Sequence, residues 1–548
     1  MFGHWDKLFV PPKNLLGFLR VNTTDLLFTM AIGSLTTGAT QGGAITQIVA
    51  RGAADFHLTG AATVTYWRLK HSTHTNFATE PIQQAFSTSV QFGGATSTIT
   101  LNRTGDLIHR QYVVVDLPGL FPAVSAGTTT SYAYVLDSLA SLGADYMPDP
   151  ELQAGLTNPL GGFYAHWVNA VGFALLKAVR LVVGGHVIDT LYGDYLYMYE
   201  ELSGKAGKRL QDMIGKFETR EQLIAYSRRP QRLYVPLPFW YSQVAGNALS
   251  LVSLAFHGVQ LAVDFQALEK LIIVSNQDVV VYKSAADGSS TGREVADTDL
   301  QACIQTEYVY LDVSERNRFA EGLFDQLIHT VQCHQATVST ATASLNLLFN
   351  HPVMELIFAA RLKANSTANK HFDYSRVGPL QGSGKYSGSD SSFPTAVALQ
   401  PQTEGTFDVI VEAEATSTDT QPNLVSDNGM YNLGDVVTVN ADPIIEMGLR
   451  VNNLQRFAPM EGKYFRQVQP YQHHTNIPKG FIYCYSFALH PEEPNPSGAL
   501  NWSRLDSVVM DLTFHADVVG HEITVMVFAR NWNVFSYVDG IGGSKFQT

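Results

Sequence analysis

Three stretches alternate large apolar and smaller or polar side chains with a period of two. In SVVMDLTFHA (507–516), Val508, Met510, Leu512, Phe514 and Ala516 fall on one face, and Ser507, Asp511, Thr513 and His515 on the other. In HGVQLAVDF (257–265), His257, Val259, Leu261, Val263 and Phe265 share a face; in GFIYCYSFAL (480–489), Phe481, Tyr483, Tyr485, Phe487 and Leu489 do. Such segments are strands with one buried face, which suit antiparallel sandwiches better than parallel sheets buried on both sides. Helical patterns are confined to 195–204 and 208–226. The chain is therefore expected to be all-β, with short helices as decorations between strands.

With 548 residues the chain is too long for one growing core, so two to three domains are expected. The halves echo one another. Segment 235–263 runs from an aromatic strand through a Gly-containing turn into an alternating strand, and 482–512 does the same. EYVYLDVSERNRF (307–319) and VMVFARNWNVF (525–535) each join an apolar strand to an Arg/Asn-rich stretch. A duplicated β-domain with its boundary near Asp312 to Arg318 follows. No Gly/Ser linker separates the halves, so they are expected to abut rigidly. Residues 118–162 and 364–440 read as long inserted loops, which in compact domains are exposed or functional.

Charged residues make up only 16% of the chain and the net charge is −13. A low charge fraction suits surfaces covered by other protein, and an acidic balance disfavours direct nucleic-acid binding. Cys303, Cys333 and Cys484 are an odd, widely spaced set, which argues against a disulfide-stapled scaffold. Lys7, Lys13, Arg20 and Asp25 interrupt the apolar N-terminal stretch, so neither a signal core nor a membrane span is expected there. Four sequons start at Asn22, Asn102, Asn365 and Asn501, and glycosylation is not expected.

No pattern selects catalytic residues. G-x-S-x-G is missing, QGSGKYS (381–387) lacks the spacing of a phosphate loop, and GHEITV (520–525) lacks the second His of a zinc helix. His473 and His474 adjoin in an extended reading and would point apart, as solvated or hydrogen-bonded loop residues. Glu492 and Glu493, flanked by three prolines in HPEEPNPSG, fit a rigid turn between two strands better than an acid/base pair. No cofactor or metal is expected. Arg316 and Arg318 in ERNRF, and Arg504 and Asp506 two apart at the expected start of a strand, fit inter-strand or inter-subunit contacts.

A collinear series of segments resembles the major capsid proteins of nucleocytoplasmic large DNA viruses. It includes ITQIVARGAADFHLTG (45–60), HTNFATEPIQQAF (74–86), RTGDLIHRQYVVVDLP (103–118), WVNAVGFALLKAVRLVVGGHVIDTLYGDYLYMYEEL (167–202), LYVPLPFWY (233–241), YLDVSERNRFA (310–320), FNHPV (349–353), VQPYQ (468–472), YSFALHPEEPNPSGALNWSRLD (485–506) and ARNWNVF (529–535). The resemblance implies a double jelly roll, two eight-stranded antiparallel β-sandwiches, with a first roll over 41–314 and a second over 315–548; the stretch 1–40 precedes the resembling segments, departs from the family pattern and is expected to form an N-terminal arm. It also implies a homotrimer forming pseudo-hexagonal capsomers that tile an icosahedral shell, without catalysis. The implied partners are neighbouring capsomers, minor capsid and penton proteins, and an internal membrane beneath the shell, with no direct nucleic-acid contact. Lys7, Lys13 and Arg20 in the arm are candidates for contacts under the capsomer. Two other readings are a carbohydrate-binding sandwich using Trp167, Trp240 and Trp502, and a β-sandwich hydrolase using Glu492 or Glu493.

Overall fold

The computed structural model describes residues 42–124, 165–376, 396–401, 407–412 and 442–546, with short interruptions at 54, 60, 63–64, 67–70, 206, 209, 218–219, 275–278, 287–289 and 322. Met1–Thr75 separates as its own compact unit, in which Gly42–Val49 is a two-turn helix. Asn76–Thr548 forms the second unit and holds all the sheets.

Eight strands in its first part are β1 (Phe77–Ala85), β2 (Ser97–Thr100), β3 (Leu107–Leu117), β4 (Leu176–Val183), β5 (His186–Tyr192), β6 (Gln231–Pro236), β7 (Val259–Phe265) and β8 (Gln301–Leu311). They pair antiparallel into one sheet in the order β1-β8-β3-β6 and another in the order β2-β7-β4-β5. The second part repeats the scheme with β9 (Phe324–Val338), β10 (Thr342–Asn346), β11 (Pro352–Leu362), β12 (Ile444–Val451), β13 (Leu454–Glu461), β14 (Tyr483–Ser486), β15 (Val508–Phe514) and β16 (Ile523–Val538). Its sheets run β9-β16-β11-β14 and β10-β15-β12-β13. Adding eight to each strand of the first order gives the second. The echoed sequence segments accordingly fall on equivalent strands: β6 to β7 and β14 to β15 in one pair, β8 and β16 in the other. All ladders between these sixteen strands stay within residues 77–311 or within 324–538.

Alternation holds where one face meets solvent. In β15, Val508, Met510, Leu512 and Phe514 are buried and the residues between are half-exposed. The same holds along the expected face of β7, from Val259 to Phe265. It fails in β14, where Tyr483 and Cys484 are both enclosed, because the π-helical turn Tyr464–Val468 and a short helix, Gln469–His473, cover its outer side. Ser486 N donates to Gln469 Oε1 at 3.1 Å across that contact. Leu489, expected on the buried face, lies past the strand end and is exposed. The helix expected over 208–226 is two short ones, Gln211–Ile214 and Arg220–Ser227, the first ended by Gly215 in the left-handed region.

Both long insertions occupy the same topological position, between the third and fourth strands of a sandwich. Residues 119–124 of the first form a strand paired with Val279–Ser284. In the second, Lys363–Thr367 is helical and a hairpin pairs Ala396–Pro401 with Phe407–Glu412. The remainder of both lies outside the described residues.

The connection between β5 and β6 fastens the two sandwiches together. Its helix α1 (Gly193–Ser203) buries Tyr195, Leu196, Tyr197, Met198 and Leu202, so it is enclosed on more than one side. Tyr197 stacks on Phe372 of the second half, with centroids 4.1 Å apart, and Tyr195 lies 5.6 Å from Phe528. Asp194 Oδ1 accepts from Arg361 Nη1 at 2.8 Å, and Asn369 Nδ2 donates to Glu269 O and Ile272 O at 2.7 and 2.9 Å. One continuous apolar core consequently runs through both sandwiches. Tyr197→Ala is expected to cost ~3–5 kcal/mol in chemical denaturation, the range for truncating a buried aromatic. A loss below about 1 kcal/mol would show that α1 is not a fastening element.

Candidate functional site

The central strands β11 and β16 break the alternating rule, because residues 353–360 and 525–531 are buried without interruption. One face of this sheet looks into its own sandwich and the other looks at the first sandwich. Into that dry seam the chain places charges. Glu355 and Arg530 stand directly opposite on β11 and β16, and Arg530 Nη1 donates to Glu355 Oε1 at 2.6 Å. The Glu355 side chain is fully enclosed and that of Arg530 is 2% exposed. Arg530 also donates to Pro491 O at 3.3 Å. Its guanidinium lies 5.1 Å over the ring of Tyr199, which α1 brings from the first half.

His474 extends the cluster. It caps the helix Gln469–His473, and the cap turns its ring inward, with a side chain 0% exposed. Its Nε2 approaches Glu355 Oε2 at 3.0 Å as an ion-pair contact, and its Nδ1 lies 3.1 Å from Glu492 Oε1. Thr475 donates to the other end of the same carboxylate, from N to Oε1 at 3.1 Å and from Oγ1 to Oε2 at 2.5 Å. Two cations and two carboxylates thus balance. Burial works against charge on every member, but the partners prevail: Arg530 and His474 hold Glu355 below the usual carboxylate range, and Glu355 holds His474 well above the usual imidazole range.

Asp189 of β5 is the first sandwich's own contribution. Its Oδ1 accepts from Val331 N of β9 and from Thr190 N, both at 2.9 Å. Burial dominates these bonds and pushes its carboxyl up to about 7. His329 of β9 moves the other way, down to about 3, through burial and the nearby Arg530.

The candidate contact residues lie elsewhere. Arg316 and Arg318 are on the helix Val313–Glu321 rather than on paired strands, and Arg316 Nε reaches Asp106 Oδ1 at 3.1 Å while remaining 60% exposed. Arg504 ends a 3₁₀ turn and Asp506 precedes the strand, which starts only at Val508; both are exposed, with no ion pair among the described residues. Asp506 N instead donates to Asn452 Oδ1 at 2.9 Å. Lys7, Lys13 and Arg20 lie outside the described residues, as does QGSGKYS.

Four residues named by the alternative readings are taken up by the fold. Trp167, Trp240 and Trp502 are buried, so none offers a sugar-stacking face. Glu492 is held below the usual range by His474 and Thr475 despite its burial, which is the wrong direction for a general acid. Asn365 is fully buried and donates to Asp373 O, which removes that sequon from any glycan. HPEEPNPSG does form the expected corner, tied by Ser497 Oγ and O to the His490 and Leu489 amides. Gly498 sits there at φ +144°, with Phe487 O only 2.7 Å from where a Cβ would be.

Sequence reasoning missed Glu355, Arg530, His474 and Asp189 as a set. One signal was present: in PVMELIFAARL a single Glu interrupts a run too apolar for a strand with a wet face. The expectation that His473 and His474 would both sit in an extended loop is corrected, since helical geometry leaves His473 outside and sends His474 into the seam.

Residues 65–312 match the family model described as "Major capsid protein N-terminus", and residues 315–543 match "Large eukaryotic DNA virus major capsid protein". The major capsid protein of Phaeocystis pouchetii virus is 30% identical over 567 residues, covering 92% of this chain and 99% of its own. That of Paramecium bursaria Chlorella virus 1 is 28% identical over 530 residues, covering 92% and 99%. Among solved structures, the quasi-atomic model of the PBCV-1 virus capsid superposes with a TM-score of 0.59 at 23% identity, covering 88% of this chain and 100% of that one. The Faustovirus major capsid protein gives 0.58 at 12%, covering 94% and 99%. The two sandwiches are a double jelly roll, as the resemblance implied.

Glu355→Gln should cost about 3–5 kcal/mol at pH 7, because Arg530 and His474 are then left buried without their shared anion. A cost near zero in equilibrium unfolding would refute the cluster's role. Asp189 has the opposite sign. Its folded pKa lies above the unfolded value of 3.8, so stability is full at low pH and falls as pH rises between about 4 and 7. Asp189→Asn keeps the acceptor for Val331 N and should stabilise the protein by on the order of 2–4 kcal/mol at pH 8. That gain should vanish by pH 4, as measured by denaturation midpoints.

Proposed function

The chain belongs to the major capsid proteins of large eukaryotic DNA viruses, and from that premise we propose that it homotrimerises into pseudo-hexagonal capsomers that tile an icosahedral shell and performs no catalysis. Its place is the virion capsid. The observation that carries the trimer is the doubled strand order with its dry, charge-balanced seam. Two like sandwiches held as one body give three chains six similar corners, which is what a hexagonal tile requires.

Rigidity at the seam is matched by apolar side chains left outside it. Phe256, Leu323, Leu348 and Leu454 are large and exposed, and β1 and β13 are edge strands with mostly exposed side chains. Edges of this kind are covered in stable assemblies. Neighbouring capsomers, minor capsid and penton proteins are the partners this reading assigns to such surfaces, with Arg316, Arg318, Arg504 and Asp506 as polar contacts around them. In the same reading the arm over 1–40, carrying Lys7, Lys13 and Arg20, contacts minor capsid proteins or an internal membrane beneath the tile, and the two rolls divide at 314/315.

Purified full-length protein is expected to have three times the 60.1 kDa chain mass in solution, with a trimer interface above ~2,000 Å². A stable monomer at micromolar concentration would overturn the proposal. Deleting residues 1–30 should leave trimers intact and impair particle assembly; normal particles would remove the arm from the reading.

A further inference from the structure

The two sandwiches are built alike but meet once, so each keeps a junction surface that only its counterpart uses. Within the chain, β5 and the helix α1 that follows it lie against β9, β11 and β16 of the second sandwich. The unused counterparts are β13 with residues 462–473 on the second sandwich, and β1, β3 and β8 on the first. Burial marks the difference. Residues 328–331 of β9 and 525–531 of β16 are buried without interruption. By contrast, β1 is exposed from 77 to 81, and in β8 Gln305 and Glu307 stay half-exposed between buried Ile304, Thr306 and Tyr308.

Strand register fixes which residue answers to which. Counting from the hairpin turn, the third pair of the β4–β5 ladder is Leu181 with Asp189, just past a bulge, and that of the β12–β13 ladder is Leu449 with Phe457, also just past a bulge. Asp189 thus answers to Phe457. Both ladders lead into a glycine, Gly193 or Gly462, that is too close to the carbonyl of the residue opening the facing strand, Leu176 or Ile444, to carry a Cβ. Asp194 therefore answers to Lys463. A second bulge interrupts the β3–β8 ladder next to Tyr308 and the β11–β16 ladder next to Asn531. Counted from those two residues, the pair of Arg361 and Thr524 answers to that of Asp116 and Gln301, and Val331 answers to Pro81.

The contacts across the seam then have counterparts of altered chemistry. Arg361 Nη1 donates to Asp194 Oδ1 at 2.8 Å. The residues that answer to them are Asp116 and Lys463, a pair with its charges exchanged. Val331 N donates to Asp189 Oδ1 at 2.9 Å. Its counterparts are Pro81, which has no N–H, and Phe457, whose side chain has no acceptor. In each case both members change together, as they must where two surfaces meet, because changing one alone would bury an unpaired charge or an unmet donor. Lys463 is exposed and Pro81 is exposed. Asp116 is 36% exposed; it holds Arg232 at 2.6 Å and has lone pairs left for a second cation.

We infer that β13 and residues 462–468 of one chain dock on the outer face of β1, β8 and β3 of a second copy, with Lys463 reaching Asp116 and Phe457 meeting Pro81. This rests on the trimer reading and names the surfaces through which the trimer closes. Each chain offers one surface and receives the other, so the contact is heterologous and a ring of three completes it.

The test joins the two surfaces covalently. Lys463→Cys and Asp116→Cys are combined in one full-length chain and treated with a short bismaleimide. Covalent dimers and trimers are expected on a denaturing gel, and none from either single variant, which also controls for Cys303, Cys333 and Cys484. Lys463→Glu should raise the concentration at which the trimer half-dissociates by about tenfold, while Lys463→Arg keeps it near that of the natural chain. In the natural chain, amide exchange over 77–85 and 454–461 should slow on passing from concentrations below assembly to concentrations above it, a readout that needs no variant. A natural trimer whose double-cysteine chain gives no covalent oligomers, or whose β1 amides exchange equally fast assembled or not, would overturn the contact alone. A natural chain that sediments as a monomer overturns the trimer reading itself, and this contact with it.

Discussion

The cross-strand pair of Glu355 and Arg530 sets the terms for the rest of the molecule. Their strands are central in a sheet buried on both faces, so the pair cannot be solvated from either side. Removing two charges from water costs several kcal/mol per ion, and that cost is offset only when the geometry is good and the remaining polar atoms find partners. Here the partners come from distant segments: Pro491 and Glu492 from one corner, His474 from a helix cap, and Tyr199 from the other sandwich. Of these partners, Tyr199 is the one that arrives when the two halves dock. A seam made of hydrocarbon alone would tolerate sliding; this one has a defined register.

Much of the fold was legible in the sequence, and for a definable reason. Strands such as β15 and β7 meet solvent on one side, so a period of two was written into them. The duplication was legible because the segments from β6 to β7 and from β14 to β15 kept the same order of aromatic strand, turn and alternating strand. What stayed hidden was the seam. Strands buried on both faces lose the alternation, and β11 then looks like any apolar run until its single Glu is noticed. His474 stayed hidden because its direction is set by the helix before it, and adjacent residues in a cap do not follow the rule for an extended chain. Arg504 and Asp506 were placed on a strand that begins two residues later, since a 3₁₀ turn and the Asn452 side chain take up the intervening backbone.

The corner HPEEPNPSG gathers several of these threads. Its prolines and Gly498 shape a turn after β14 that brings Leu500–Asn501 back alongside β11, and its acidic residues invite a catalytic reading. Within the fold, Pro491 O faces Arg530 and Glu492 neutralises His474, while Glu493 stays exposed. A loop that is irregular in outline thus carries part of the electrostatic balance of the interior, which explains why so polar a segment lies between two apolar strands.

Helix α1 is a fastener built from the first sandwich, and the second answers it with a different kind of element. It leaves the first sandwich and grips the second through Tyr195, Tyr197 and Asp194, whereas the equivalent connection between β13 and β14 folds over its own sheet and reaches back through Asn476, whose N donates to Leu202 O at 2.9 Å. The two connections that fasten the sandwiches to each other therefore differ in kind. A ring of three such chains would be hexagonal in outline but would have only three equivalent rotational settings. Such a tile carries an orientation mark, and a lattice built from it can distinguish a neighbour set correctly from one turned by a sixth of a circle.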